Sequence, residues 1–329
     1  VKARLGLSFG FLLDASKHTM RKTLASLFVV SLVSLASLAT QGCSLSAKEA
    51  VELAIEGDKA RGANLDDAIS KYDQATQIDP TNTLIHDKLL NALKKKEDWA
   101  KLVQAASRAE KADPTRASAF YMHGFAARQL AEKGGGPAQW SDAREPLEQA
   151  FAKDPNLADA EFDLAEVLLN LDDETGALKA YTKAIETNPE NTTYYGFLAV
   201  LYRELGYNDL AEKVVRSGLP AVKAGDKASF TLHSLLGDLM DKKSDNAAAL
   251  SEFGLAKQAC GECTDPLKGE HIAFFNLGRL QVATGDTTAG LGNLKKFNKL
   301  VCKSAMGLRY KNQCEAGREI ATKGGGSVD

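Results

Sequence analysis

The chain has 329 residues, 44% of them hydrophobic and 26% charged, with a formal net charge of −2. Abundant Ala, Leu, Lys and Glu with only eight prolines favour helix over strand. Residues 1–42 carry five Lys/Arg against Asp14 alone, so the remainder holds 36 basic and 42 acidic residues, a balance of −6 that excludes nucleic acid as a partner on charge grounds.

Near the start, Met20-Arg21-Lys22 precedes an uncharged apolar stretch from Leu24 to Ala39, the layout of a signal peptide. The stretch is short for a membrane-spanning helix and runs into Thr40-Gln41-Gly42-Cys43. This segment resembles a bacterial lipoprotein signal, with Thr40 and Gln41 standing where that family usually has Leu and a small residue. The resemblance implies removal of 20–42, a lipid on Cys43, a tether over 43–46, and sorting to the outer membrane through Ser44. Residues 1–19 precede the better start at Met20 and read as an extension or a mis-set translation start.

From residue 47 the chain is periodic. Pro80, Pro114, Pro155 and Pro189 each follow Asp or Asn at the end of an apolar-periodic segment, at spacings of 34, 41 and 34. A proline ends one helix and suits the start of the next. The longer spacing contains Gly134-Gly135-Gly136-Pro137, a breaker cluster expected to lengthen one inter-helix loop. In Leu157–Pro189 the apolar residues show helical period twice, on either side of Asp172–Gly176. One such helix pair cannot bury both its faces alone, so neighbours must stack.

The residues Leu164-Ala165, Leu168, Ala177, Tyr181, Ala184 and Pro189 fall at offsets that resemble the tetratricopeptide repeat (TPR). Earlier units supply Ala68, Tyr72, Ala75 and Pro80; later ones supply Leu198-Ala199, Leu236-Gly237 with Phe253, and Leu277-Gly278. The resemblance implies an all-α, right-handed α-solenoid of about seven TPR-like helix pairs over 47–304, a C-terminal capping helix at 305–322 and a flexible tail at 323–329. It also implies a peptide groove lined by the first helix of each pair, at about positions two, five, nine and twelve of the repeat. Those offsets select Tyr121, Phe125, Arg128, Phe162, Glu166, Val200, Arg203, Asp238, Phe275 and Arg279. The paired Lys and Asn of the family's carboxylate clamp are not found at these positions.

In an exported chain, Cys260, Cys263, Cys302 and Cys314 are candidate disulfide partners, with three pairings open. Cys260 with Cys263 would close a tight turn and Cys302 with Cys314 the turn between two late helices, and this combination is favoured. The Cys260-x-x-Cys263 spacing also serves redox chemistry, or zinc if Cys302 and Cys314 converge on it, while Thr264 in place of His removes haem attachment. His18, His86, His123, His233 and His271 form no metal motif and read as packing or surface residues. The Gly134–Gly136 and Gly324–Gly326 runs lack the Lys-Ser/Thr of a phosphate loop, and Lys94-Lys95-Lys96 before Glu97-Asp98 reads as a solvated helix end.

The expectation is a non-catalytic adaptor without cofactor or metal, exported and anchored to a membrane through its N-terminal lipid, facing the periplasm. It would bind protein partners of the cell envelope and assist assembly of a complex there, in an oligomeric state the sequence does not specify. Two alternatives stand beside it: a redox or zinc-binding repeat protein using the four late cysteines, and a cell-wall glycan-binding or glycan-cleaving helical protein, for which no carboxylate pair stands out by spacing.

Overall fold

The computed structural model describes residues 45–134, 137–223, 225–264 and 269–328. Cys43, the 20–42 signal and residues 1–19 lie outside them. All regular structure among the described residues is helical: α1 (45–60), α2 (Leu65–Ile78), α3 (Thr83–Lys96), α4 (Trp99–Ala112), α5 (Ala117–Glu132), α6 (Pro137–Lys153), α7 (Ala158–Asn170), α8 (Glu174–Thr187), α9 (Thr192–Glu204), α10 (Asn208–Gly218), α11 (Ala228–Lys242), α12 (Asn246–Cys260), α13 (Ile272–Ala283), α14 (Thr287–Phe297) and α15 (Lys311–Lys323). Successive helices pack as pairs within the units, α3 with α4 in the first and α7 with α8, α9 with α10, α11 with α12 and α13 with α14 in the second. None of the described helices is long and apolar enough to cross a membrane. The chain divides within α5 into two compact units, one ending at Ala126 and one starting at Ala127.

The Asp-Pro punctuation works through backbone chemistry. Asp79 and Asp113 close α2 and α4 in conformations outside the helical region, as residues before proline prefer. Each carboxylate then accepts the backbone N–H two residues on, from Thr81 at 3.2 Å and Thr115 at 3.0 Å, which fixes the turn into the next helix. Side-chain caps from Asn64, Asn82, Asp98, Asp173, Asn191, Asp245 and Asp286 satisfy first-turn N–H groups of the helices they precede.

Within each unit the repeat positions are the core. Ala165, Ala177, Tyr181 and Ala184 are completely buried, with Leu164 and Leu168 close behind. Small residues mark close helix approach: a Cβ on Gly237 would lie 2.6 Å from the Phe253 ring, and one on Gly57 2.6 Å from the Tyr72 ring. The period also shows in side-chain pairs one repeat apart, such as Tyr194 with Asp159 and Lys243 with Asp209.

Four expectations need correction. The added residues between Pro114 and Pro155 go mainly into helix, because α5 and α6 have 16 and 17 residues against 13 and 14 in α7 and α8. Residues 45 and 46, inside the expected tether, are already helical. The 305–322 cap is a 3-10 turn at Ala305–Leu308 followed by α15, not one helix. The end of the expected flexible tail is fixed: Val328 is buried, and its carbonyl accepts a hydrogen bond from the buried Asn298 side chain at 2.8 Å.

Candidate functional site

In the first unit, Tyr121 and Phe125 are half-buried and engaged. Phe125 packs edge-on to Trp99 at 5.7 Å between ring centres, and Lys94 Nζ lies 4.4 Å from the centre of the Phe125 ring. Lys94 therefore leaves the solvated group in which the sequence placed it. A groove of about 470 Å³ beside α2, α3 and α4 is lined by acids and bases together, among them Asp73 and Arg108, which already pair.

In the second unit the selected positions form two patches along the first helices. The first joins the end of α5 to α7 and α9. Phe162 stacks on Tyr194 at 5.1 Å, meets Phe197 edge-on at 5.0 Å and leans on Tyr181 at 5.7 Å. Phe197 is 41% exposed, whereas Tyr194 and Tyr181 are buried. The Tyr181 hydroxyl donates to Glu166, and that of Tyr194 to Asp159. Arg128 reaches Asp163 at 3.2 Å and donates to Glu132. Its side chain is 11% exposed and that of Asp163 5%. Glu132, Asp163 and Glu166 thus surround one guanidinium. Burial pushes the Glu166 carboxyl up to about 7; Arg128 opposes this, and Glu132 and Asp163 add to it. Burial and then the bond to Asp159 raise the Tyr194 phenol as well.

The second patch runs from α9 through α11 to α13, and here position twelve of one first helix meets position nine of the next. Arg203 lies 3.5 Å from Asp238, and Arg279 donates to Asp241 at 2.6 Å. Asn276 donates to Asp238 at 3.4 Å, and the Arg279 guanidinium lies 6.0 Å from the centre of the Phe253 ring. Burial raises the Asp238 carboxyl, with Arg203 and then Arg279 pulling it down. Two cations and two anions balance. Val200 is half-buried against the adjoining core, and Phe275 is buried beside Phe297 and α15.

Cys260 is bonded to Cys263, and Cys302 to Cys314. In this bonding all four sulfurs are paired within one apolar cluster at the end of the chain. Among the described residues no group of three or more His, Cys, Asp or Glu is arranged to hold a metal ion. The described histidines pack: His86 meets the Pro80 carbonyl at 3.0 Å, His123 and His233 meet Glu110 and Glu252, and His271 is buried against Tyr310, while His18 lies outside the described residues. Cys302–Cys314 ties α15 over the apolar end of α13 and α14.

Asp159, Asp163, Tyr194, Phe197 and Asp241 belong to these patches and were not selected from the sequence. Asp163, an acid between Phe162 and Leu164 in an apolar stripe, carried the clearest signal; Asp241 stands three residues beyond the selected Asp238 on the same helix face.

No protein-family model matches the chain. A stretch of 76 residues, 22% of the chain, is 36% identical to a TPR repeat-containing protein of Methanocaldococcus jannaschii, of which it spans 13%. Among solved structures, the chain is similar to PilF of Pseudomonas aeruginosa, with a TM-score of 0.56 and 14% identity over 70% of this chain and 97% of that one. A tetratricopeptide repeat protein of Parabacteroides merdae gives a TM-score of 0.52 and 13% identity over 82% and 99% of the two chains. The C-terminal part of a TPR repeat-containing protein of Cytophaga hutchinsonii gives 0.54 and 15% over 70% and 84%. The proline register, the small-residue contacts and these neighbours agree that the chain has the tetratricopeptide-repeat fold.

Proposed function

We propose that the protein is a non-catalytic scaffold that holds protein partners against the first-helix face of its second unit, and that it works exported and lipid-anchored in the cell envelope, assisting assembly of a complex. The observation that carries the binding role is the first patch, where the exposed Phe197 ring stands beside a group of carboxyls gathered around Arg128. Aromatic residues with a polar surround are what protein interfaces concentrate at their centres. The envelope role draws on the signal-like 20–42 segment and on the cysteines, whose bonding suits an oxidising compartment.

Crosslinking in intact cells followed by recovery of the chain tests the scaffold. A reproducible protein partner that is lost with Phe197→Ala is the expected result, and recovery of none, or of partners indifferent to the first-helix face, would overturn it. The anchor is tested separately: Cys43→Ser should release the protein from membranes into the soluble fraction, and unchanged attachment would remove lipidation from the reading.

A further inference from the structure

We infer that the aromatic cluster of Phe162 and Phe197, rimmed by Glu166, Asp159 and Glu132, seats a cationic side chain of a partner peptide, Lys or Arg, flanked by an apolar residue. This rests on the groove reading above and adds the chemistry of its occupant.

Phe197 leaves 41% of its surface open although three other rings lie within reach of the cluster, so the apolar contact is incomplete in the chain alone. An aromatic face carries negative charge density and attracts a cation placed over it. The chain's own use of that chemistry is seen elsewhere, where Lys94 lies over Phe125 and Lys296 lies 4.5 Å from the centre of the Phe274 ring. Around Phe162 the nearby cation, Arg128, is turned to Asp163 and Glu132. Asp159 is exposed, and Glu166 is held at the cluster by the Tyr181 hydroxyl. An anionic peptide would face Glu166, Asp159 and Glu132 with Arg128 already turned to Asp163 and Glu132, and an uncharged one would make no use of the carboxyls on the rim. A basic residue answers both features at once, and its apolar neighbour covers Phe197. The Arg203–Asp238 and Arg279–Asp241 pairs further along are balanced and select neither sign.

The probe is a random twelve-residue peptide library selected on the full chain, with affinities of the enriched peptides read by fluorescence anisotropy. Enriched peptides should carry Lys or Arg beside Leu or an aromatic residue. They should bind about tenfold more weakly to Phe197→Ala and to Glu166→Gln, and equally well to Lys213→Ala on α10. Phe197→Leu, which keeps apolar bulk without the ring, should lose the preference for cationic peptides; circular dichroism of each variant excludes unfolding. Peptides that depend on Arg203 and not on Phe197, or acidic or neutral peptides that depend on Phe197, would overturn this inference and leave the groove reading standing. Peptides indifferent to every first-helix substitution, or no enrichment at all, would overturn the groove reading and this inference with it.

Discussion

Arg128 and Arg203 both occupy position twelve of a first helix, yet they sit in different company. Arg128 is nearly enclosed beside an equally enclosed Asp163, with Glu132 and Glu166 around them; Arg203 keeps 29% of its side chain in solvent and faces Asp238 across 3.5 Å. The difference originates at one position. Asp163 precedes the repeat's Leu-Ala step, where the corresponding residue of α9 is Phe197 and that of α11 is Leu235. A charge at that point commits Arg128 inward and leaves Glu166 short of a counter-ion. Repeats with a common backbone can thus become a loaded interior pair in one place and a solvent-side ladder in another.

The sharpest way to break this contrast is to remove the arginines. Arg128→Ala takes the cation away from the enclosed Asp163, and breaking a buried pair in this way costs about 3–5 kcal/mol. Arg203→Ala removes a partly solvated partner and should cost less than about 1 kcal/mol. Denaturant midpoints at constant slope measure both, and Asp163→Asn added to Arg128→Ala should recover most of the loss. Equal losses for the two arginines would show that enclosure does not separate the patches.

A second separation is by pH. Glu166 has an ordinary value of 4.5 and a folded value of about 7, so between those limits the folded chain holds a proton that the unfolded chain has lost. The Glu166 contribution is therefore most favourable below pH 4.5 and is lost as pH rises through 7, a change of at most about 3 kcal/mol, reduced by solvent at this half-buried site. Other carboxyls shift in both directions, Asp238 up and Glu212 down, so the measurement is the difference between wild type and Glu166→Gln. Their stability curves should converge in acid and separate by pH 8 with the variant the more stable. Parallel curves would remove Glu166 as the source.

Much of the fold was legible in the sequence because its signals are local. Asp79-Pro80 and Asp113-Pro114 set helix ends through a dihedral restriction and a two-residue hydrogen bond, and Ala165 or Gly237 marks close approach through its own lack of bulk. The extent of α5 and α6 was not legible, since glycines at 134–136 announce a break without saying how far helix runs up to it. For the candidate site, the repeat offset selects Arg128, Phe162, Glu166, Arg203, Asp238 and Arg279, which the structure brings into the two patches. It could not tell that Phe275 is covered by α15, or that Phe125 takes Lys94, because both depend on neighbours outside the offset pattern. Pairing of the cysteines was undetermined for the same reason: four thiols allow three arrangements, and only the path of the turn after α14 brings Cys302 to Cys314.

The smallest expected effect is also the one that tests whether the ladder is a unit. Double-mutant cycles for Arg203–Asp238 and Arg279–Asp241 should each give roughly 0.2–1 kcal/mol, the larger from Arg279–Asp241 because it is a direct hydrogen bond at 2.6 Å. Asp238 feels Arg279 as well as Arg203, so removing Arg279 should strengthen the Arg203–Asp238 coupling by leaving Asp238 a single cation. Both couplings should fall with added salt, since all four side chains reach solvent. The Arg128–Asp163 coupling should hold in the same titration. If instead it falls in step with the ladder, the two patches are screened alike, and the excess of carboxylates around Phe162 loses its claim to be a distinct, partly enclosed field.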